Sequence, residues 1–349
     1  MKIAYLTNNV NPKEGWGRYA YDLISGIRKS GHEVVILKEV DDGYEGTAMI
    51  KRGWGMFGSA LKIRKLAADC DIIHALDVYP YGIIAWLANI FLKKKLVITA
   101  LGTYSIAPLY NLKTRWLSKK AIKSARAVVA ISKHTKSEIA KIIKADNLHI
   151  VNPGIDFQLF YQEHIMPRDK FILSVGALKE RKGYHISISA FAEANISGLN
   201  YIIVGNQNNK AYFSELVGIA KKYGVENRVV FLQNISDVEL KKLYRGAQLF
   251  ILTSINLNHH FEGFGLVFLE AAASGLPVIG TSGNGIEDAI GKNGRLVPQN
   301  DVIATAKAMH EIIEDREKWQ EMSLQSYEWA RTHDLSGMIG KYLDLYHNN

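Results

Sequence analysis

Residues 261–277 read FEGFGLVFLEAAASGLP and lead into a short apolar run at 277–280. Gly263 and Gly265 frame a turn in which the backbone can take positive φ and approach a ligand closely. From Leu266 the apolar pattern predicts a helix, stopped by Gly275 with Pro277 behind it. Unpaired N–H groups at a helix start, together with the helix dipole, favour an anion there. Glu262 precedes the helix and Glu270 lies just past its first turn. The pattern therefore predicts a diphosphate seated on the helix start, with a carboxylate for ligand hydroxyls at each end.

The same alternation of strand and helix runs outward in both directions. Strand patterns fall at 2–6, 33–37, 72–75, 96–100, 127–131 and 149–151, then at 171–175, 201–204, 229–232 and 249–252. Helix-period segments such as 17–30 separate them. This is the pattern of parallel sheets covered on both faces. A chain of 349 residues exceeds the roughly 250–300 at which one core usually splits. The irregular stretch 152–169 is the expected boundary, with a first domain over 1–167, a second over 168–334, and a last helix over 335–349. Residues 311–346 are expected to be helical, a stretch that carries Trp319, Tyr327, Trp329 and Tyr342. The fold class is α/β, two Rossmann-like doubly wound domains facing a central cleft, with ligands at the carboxyl ends of the strands.

Composition narrows the function classes. With 48% hydrophobic and 22% charged residues, disorder and coiled coil are excluded. The single cysteine, Cys70, allows no intrachain disulfide and no thiolate metal cage, and fits a reducing, cytoplasmic setting. The longest apolar stretch, 82–92, is well short of the about 20 residues a membrane span needs. Charge is unevenly placed. Residues 1–168 hold 25 Lys/Arg against 14 Asp/Glu, whereas 169–349 hold 18 against 20. The basic half suits an anionic partner: lipid headgroups, a phosphorylated acceptor or nucleic acid. A solvated face that keeps the chain soluble explains the same charge. No basic-aromatic module supports nucleic acid.

Two further loops carry chemistry. Residues 175–183, VGALKERKG, follow a strand, and Lys182 with Arg181 would place fixed cations against a diphosphate. Residues 8–18, NNVNPKEGWGR, put Gly15 and Gly17 at a strand-to-helix turn, a weak phosphate-loop signal without a third glycine. Asp69-Cys70-Asp71 matches an Asp-x-Asp metal motif in form only, just ahead of a buried strand. His259 and His260 have no companions at metal spacing. No metal is expected.

Residues 261–277 resemble the signature of the family 4 retaining glycosyltransferases of GT-B fold, and weaker matches such as NPGID at 152–156 extend the resemblance along most of the chain. The resemblance implies a hexose moved from a UDP- or GDP-linked sugar to a saccharide or lipid-linked acceptor, with no cofactor and no metal. It assigns Glu270 to the ribose hydroxyls and Glu262 to the transferred sugar. The backbone of Gly263, Phe264, Gly265 and Leu266 meets the diphosphate, Lys182 and Arg181 its charge, and Gly15 and Gly17 face donor and acceptor. It implies too that the last helix, 335–349, returns to the first domain, with Trp319, Tyr327, Trp329 and Tyr342 packing that crossover. The uneven charge, separately, suggests contact of the basic half with an anionic membrane. Two positions depart from the resemblance: Leu101 stands where many members have histidine, and Ala177 where many have arginine. These departures keep a second reading open, a GT-B homologue that binds sugar nucleotide or glycan without transfer.

Overall fold

A computed structural model describes residues 1–161 and 170–347. The boundary expected at 167/168 lies outside the described residues. The chain forms two compact units, Met1–Gly154 with Leu335–Asn349, and Ile155–Asp334.

The first unit is built on strands β1 (Lys2–Thr7), β2 (Glu33–Lys38), β3 (Thr47–Ala48), β4 (Ile72–Leu76), β5 (Lys95–Ala100), β6 (Ala127–Ala130) and β7 (Leu148–Ile150). They make one parallel sheet in the order β3-β2-β1-β4-β5-β6-β7. The inner strands are apolar along nearly their whole length because helices cover both faces. From β1 the chain winds outward to β3, then crosses to β4, so strand order reverses between β1 and β4.

Helix Leu335–His347 docks on this sheet through side chains, not through backbone pairing. Tyr346 Oη lies 2.9 Å from Tyr5 Oη and 2.7 Å from His74 Nδ1. His74 Nε2 lies 2.8 Å from Thr99 Oγ1, which bonds Tyr342, which in turn bonds Tyr19. Burial pulls the His74 imidazole down to about 3, so it is neutral and both nitrogens are used within the network. A buried polar cluster of this kind fixes one docking register because every member depends on its neighbours.

The second unit holds β8 (Phe171–Val175), β9 (Asn200–Val204), β10 (Val229–Leu232), β11 (Leu249–Leu252), β12 (Val278–Thr281) and β13 (Arg295–Val297). All pair in parallel in the order β10-β9-β8-β11-β12-β13, with the reversal between β8 and β11. The helical stretch expected at 311–346 is three helices, Val302–Ile313, Arg316–Thr332 and Leu335–His347. Asp315 makes the first break, because its side chain accepts from the Lys318 N–H and starts a new helix. The last helix belongs to the first unit, the other two to the second. Trp319 and Trp329 donate to the backbone carbonyls of Gln248 and Ala289 within the second unit.

Candidate functional site

The reversal between β8 and β11 organises the second unit. Beyond β8 the chain turns at Gly176 and tightens into a short turn, Glu180–Lys182, closed by Gly183. Gly183 has φ +71°, and a Cβ there would stand 1.9 Å from the Thr253 carbonyl oxygen. Only glycine lets this turn approach the segment after β11 so closely. Two hydrogen bonds join the two segments: Ile255 N–H donates to the Arg181 carbonyl at 2.8 Å, and Thr253 Oγ1 to the Gly183 carbonyl at 2.7 Å. A basic turn and an acidic loop, distant in sequence, are thereby held side by side.

Glu262 comes back along that loop. One oxygen, Oε2, takes both cations, Arg181 Nη1 at 2.8 Å and Lys182 Nζ at 2.6 Å. Among the described residues Oε1 has no protein partner. Burial alone would raise the Glu262 carboxyl, but Lys182 and Arg181 hold it at about 2. Burial works against the Lys182 ammonium and pulls it below its ordinary range, with Glu262 opposing. Two cations on one carboxylate leave the cluster one positive charge in excess, in a place where water screens little. Its remaining attraction is for an anion.

The helix Leu266–Ala273 follows immediately. Gly265 precedes it in the left-handed region at φ +89°, and no side chain caps its start. Gly285 N–H donates to the Glu262 carbonyl at 2.9 Å, and a Cβ on Gly285 would lie 2.0 Å from the Gly263 carbonyl oxygen, so the Glu262–Gly263 backbone is clamped from behind. Phe264 is buried and anchors the same turn. Glu270 accepts from Tyr244 Oη at 2.8 Å, and Tyr244 is fully buried on helix Asp237–Gly246.

The structure thus brings together Arg181, Lys182, Glu262, Gly263, Phe264, Gly265, Leu266 and Glu270 in one unit. Gly15 and Gly17 lie in the other, at the start of helix Gly15–Lys29. Gly17 is explained by its own loop, since a Cβ there would stand 2.1 Å from Asn9 Oδ1. Around Gly15 the space is open. Arg18 pairs with Asp22 at 2.7 Å. Asp69 pairs with Lys2, and Asp71 accepts the Lys2 N–H, so the Asp-x-Asp segment ties β1 in place. Among the described residues no group of His, Cys, Asp and Glu is arranged to hold a metal ion. Lys179, two residues beyond the departure at Ala177, is exposed.

Sequence reading missed a second constellation at the reversal of the first sheet. Asp77 follows β4 at φ +122° and is fully buried. Its Oδ1 accepts from Val78 N–H at 2.7 Å and from Ser105 Oγ, while Oδ2 has no partner among the described residues. Burial pushes its carboxyl up to about 7. Trp16, at the start of helix Gly15–Lys29 after β1, lies against Tyr81 and Tyr104, and its buried Nε1 has no partner among the described residues. Tyr81 Oη donates to Glu39, which Arg52 and Asn8 also hold. Neither spacing nor charge pattern marks these residues, because the topology assembles them from separate loops.

Two family models match the chain: Glycosyltransferase Family 4 over residues 14–159 and Glycosyl transferases group 1 over residues 158–329. A Mycobacterium tuberculosis glycogen synthase is 23% identical over 350 residues, covering 86% of this chain and 83% of that protein. A D-inositol 3-phosphate glycosyltransferase of Corynebacterium glutamicum is 30% identical over 58% of this chain and 52% of its own. Among solved structures, Anabaena HepE in complex with UDP and glucose superposes with a TM-score of 0.84 at 20% identity, covering 99% and 98% of the two chains. The likeness fixes the fold as GT-B. The chain belongs to the group 1, family 4 glycosyltransferases and is a sugar-transferring enzyme.

Proposed function

We propose that this glycosyltransferase moves a hexose, with retention, from a UDP- or GDP-linked sugar to a saccharide or lipid-linked acceptor in glycan synthesis. The observation that carries the reading is the Arg181–Glu262–Lys182 cluster with its surplus positive charge beside the uncapped helix that bears Glu270. Relatives named for sugar transfer and a like-folded protein complexed with UDP and glucose support it. In this reading the diphosphate meets the Gly263–Leu266 backbone, and Arg181 and Lys182 stabilise the charge that grows on it as the bond to the sugar breaks. Glu270, steadied by Tyr244, takes the ribose hydroxyls, and Oε1 of Glu262 a hydroxyl of the sugar. The acceptor oxygen attacks C1 on the face the leaving group departs from. The C1–O bond to phosphate breaks, and the acceptor proton passes to the released phosphate oxygen. No side-chain nucleophile and no metal is used.

The basic unit points to the acceptor side and to residence in the cytoplasm against an anionic membrane face, without a nucleic-acid partner. Among the described residues no helix is long and apolar enough to cross a membrane. Leu101 and Ala177 favour a second reading, binding of the sugar nucleotide without transfer. Labelled UDP- and GDP-sugars with and without EDTA separate these. Release of sugar or glycan product that EDTA leaves unchanged is the expected result. Release that needs an added divalent ion defeats the metal-free step, and tight binding with no release establishes the second reading.

A further inference from the structure

Helices Gly55–Leu66, Ile83–Leu92 and Arg115–Ser124 pack in series on the first unit, the middle one touching both others. The first buries Met56, Ser59, Ala60 and Ile63 along one stripe. Its opposite stripe carries Phe57 and Leu61, with Trp54 one turn ahead stacked on Phe57. Trp54 is 89% exposed and Leu61 64%. On the next helix Phe91 is 68% exposed, and the Arg64 guanidinium sits 4.4 Å over its ring, joining the two helices at the surface. Trp86 meets Trp116, 62% exposed, on the third, and Lys120 lies over the Trp116 ring. A soluble chain rarely spends so many large apolar side chains on one face unless something covers them.

The charge around them selects the cover. Residues 46–126 contain 14 Lys/Arg and only three Asp/Glu. None of the three offsets this face: Asp69 pairs with Lys2, Asp71 accepts the Lys2 N–H, and Asp77 is buried. Lys62, Lys65, Lys93, Lys113, Lys119 and Lys123 make no ion pair among the described residues. Tryptophan, phenylalanine and leucine tips flanked by lysines match the interface of an anionic bilayer, where rings sit at headgroup depth and each nearby lysine adds to the attraction. Aliphatic Leu61 offers no stacking plane to a nucleic-acid base, and two copies of a face this cationic repel one another.

We infer that these three helices form a membrane-docking face that inserts Trp54, Phe57, Leu61, Phe91 and Trp116 into the interface of an anionic lipid bilayer. The inference deepens the membrane part of the proposal above by naming the residues and adding apolar insertion to charge. It does not depend on the donor site, so vesicle binding and nucleotide binding fail independently.

The test is co-sedimentation of the full chain with vesicles of mixed phosphatidylglycerol and phosphatidylcholine, and of phosphatidylcholine alone. Two variants accompany it, Trp54→Ser/Phe57→Ser/Leu61→Ser and Lys62→Glu/Lys65→Glu, with nucleotide binding and circular dichroism as checks of folding. The native chain is expected on the mixed vesicles only, and each variant to bind them at least about tenfold more weakly. Absence of native binding overturns the inference. So does a serine variant that binds as well as the native chain, which would leave charge alone. A concentration-dependent dimer that the serine variant abolishes would assign the face to a second copy and overturn it as well.

Discussion

Both sheets place a carboxylate beside the point where strand order reverses, Asp77 fully buried and Glu262 largely so, and the two are treated in opposite ways. In the second unit Glu262 is shared by Arg181 and Lys182 and held ionised at about 2. In the first, Asp77 has hydrogen bonds to one oxygen, no cation in contact among the described residues, and a carboxyl pushed up to about 7. The contrast runs against bulk charge. The unit around Asp77 carries 25 Lys/Arg and 13 Asp/Glu, that around Glu262 18 and 21. Local pairing, not the balance of the unit, decides the state of each acid. The basic unit buries Lys38 against Asp42 and leaves most of its other cations at the surface, whereas the acidic unit sets two cations on one carboxylate.

The sharpest way to break this contrast is Lys182→Ala. Arg181 keeps Glu262 paired, but the surplus positive charge is gone, so the transfer rate should fall about 10²–10³-fold, as when one preorganised charge-stabilising group is removed. A steady-state rate with the preferred donor decides it, and a rate within a few-fold of native would remove Lys182 from the chemistry.

Glu262→Gln leaves two close cations without their shared anion. Breaking a buried pair costs about 3–5 kcal/mol, and partial exposure of Arg181 puts the loss near the lower end. Because the native pKa is depressed, the Glu262 contribution is present above about 4.5 and fades as pH falls toward about 2. Chemical denaturation at pH 7 and at pH 3 should show a gap between native and variant that narrows in acid.

Asp77 should behave the other way. Its raised pKa means the fold holds a proton that the unfolded chain has lost, so its contribution favours the fold at low pH and declines between about 4 and about 7. Asp77→Asn should flatten that decline, gaining on the order of 3 kcal/mol relative to native at pH 8 compared with pH 4. Parallel slopes for native and variant would show that Asp77 titrates normally.

Tyr244→Phe is the smallest test. It removes the hydroxyl that steadies Glu270, at a cost of about 1 kcal/mol, and should weaken donor binding several-fold with the fold intact. Unchanged affinity would mean that Glu270 is positioned without it.

Much of the scaffold was legible because its strands are apolar runs bounded by turns. Two strands were not. Thr47–Ala48 is two exposed residues paired only to β2, and Arg295–Val297 is an edge with two exposed positions, so neither shows a buried period. The break between helices Val302–Ile313 and Arg316–Thr332 was also hidden, because Asp315 caps without glycine or proline to announce it. At the site, residues 261–277 declared themselves through paired glycines and carboxylates within one segment. The grip of Arg181 and Lys182 on Glu262 spans about eighty positions and is imposed by the closeness of Gly183 to Thr253, a fact of sheet order. Tyr244 and Asp77 acquire their roles only through neighbours from other loops.

The central claim is that the Arg181–Glu262–Lys182 cluster and Glu270 form a nucleotide-sugar site. A thermal-shift panel of UDP, GDP, ADP and their sugar conjugates, run on the native chain and on Glu270→Ala, addresses it directly. A ligand at a hundred times its Kd stabilises the fold by about 2.7 kcal/mol, a readable shift. One diphosphate series is expected to shift the native chain and to leave Glu270→Ala near its unliganded Tm. No shift with any series, or equal shifts in both chains, would contradict that claim.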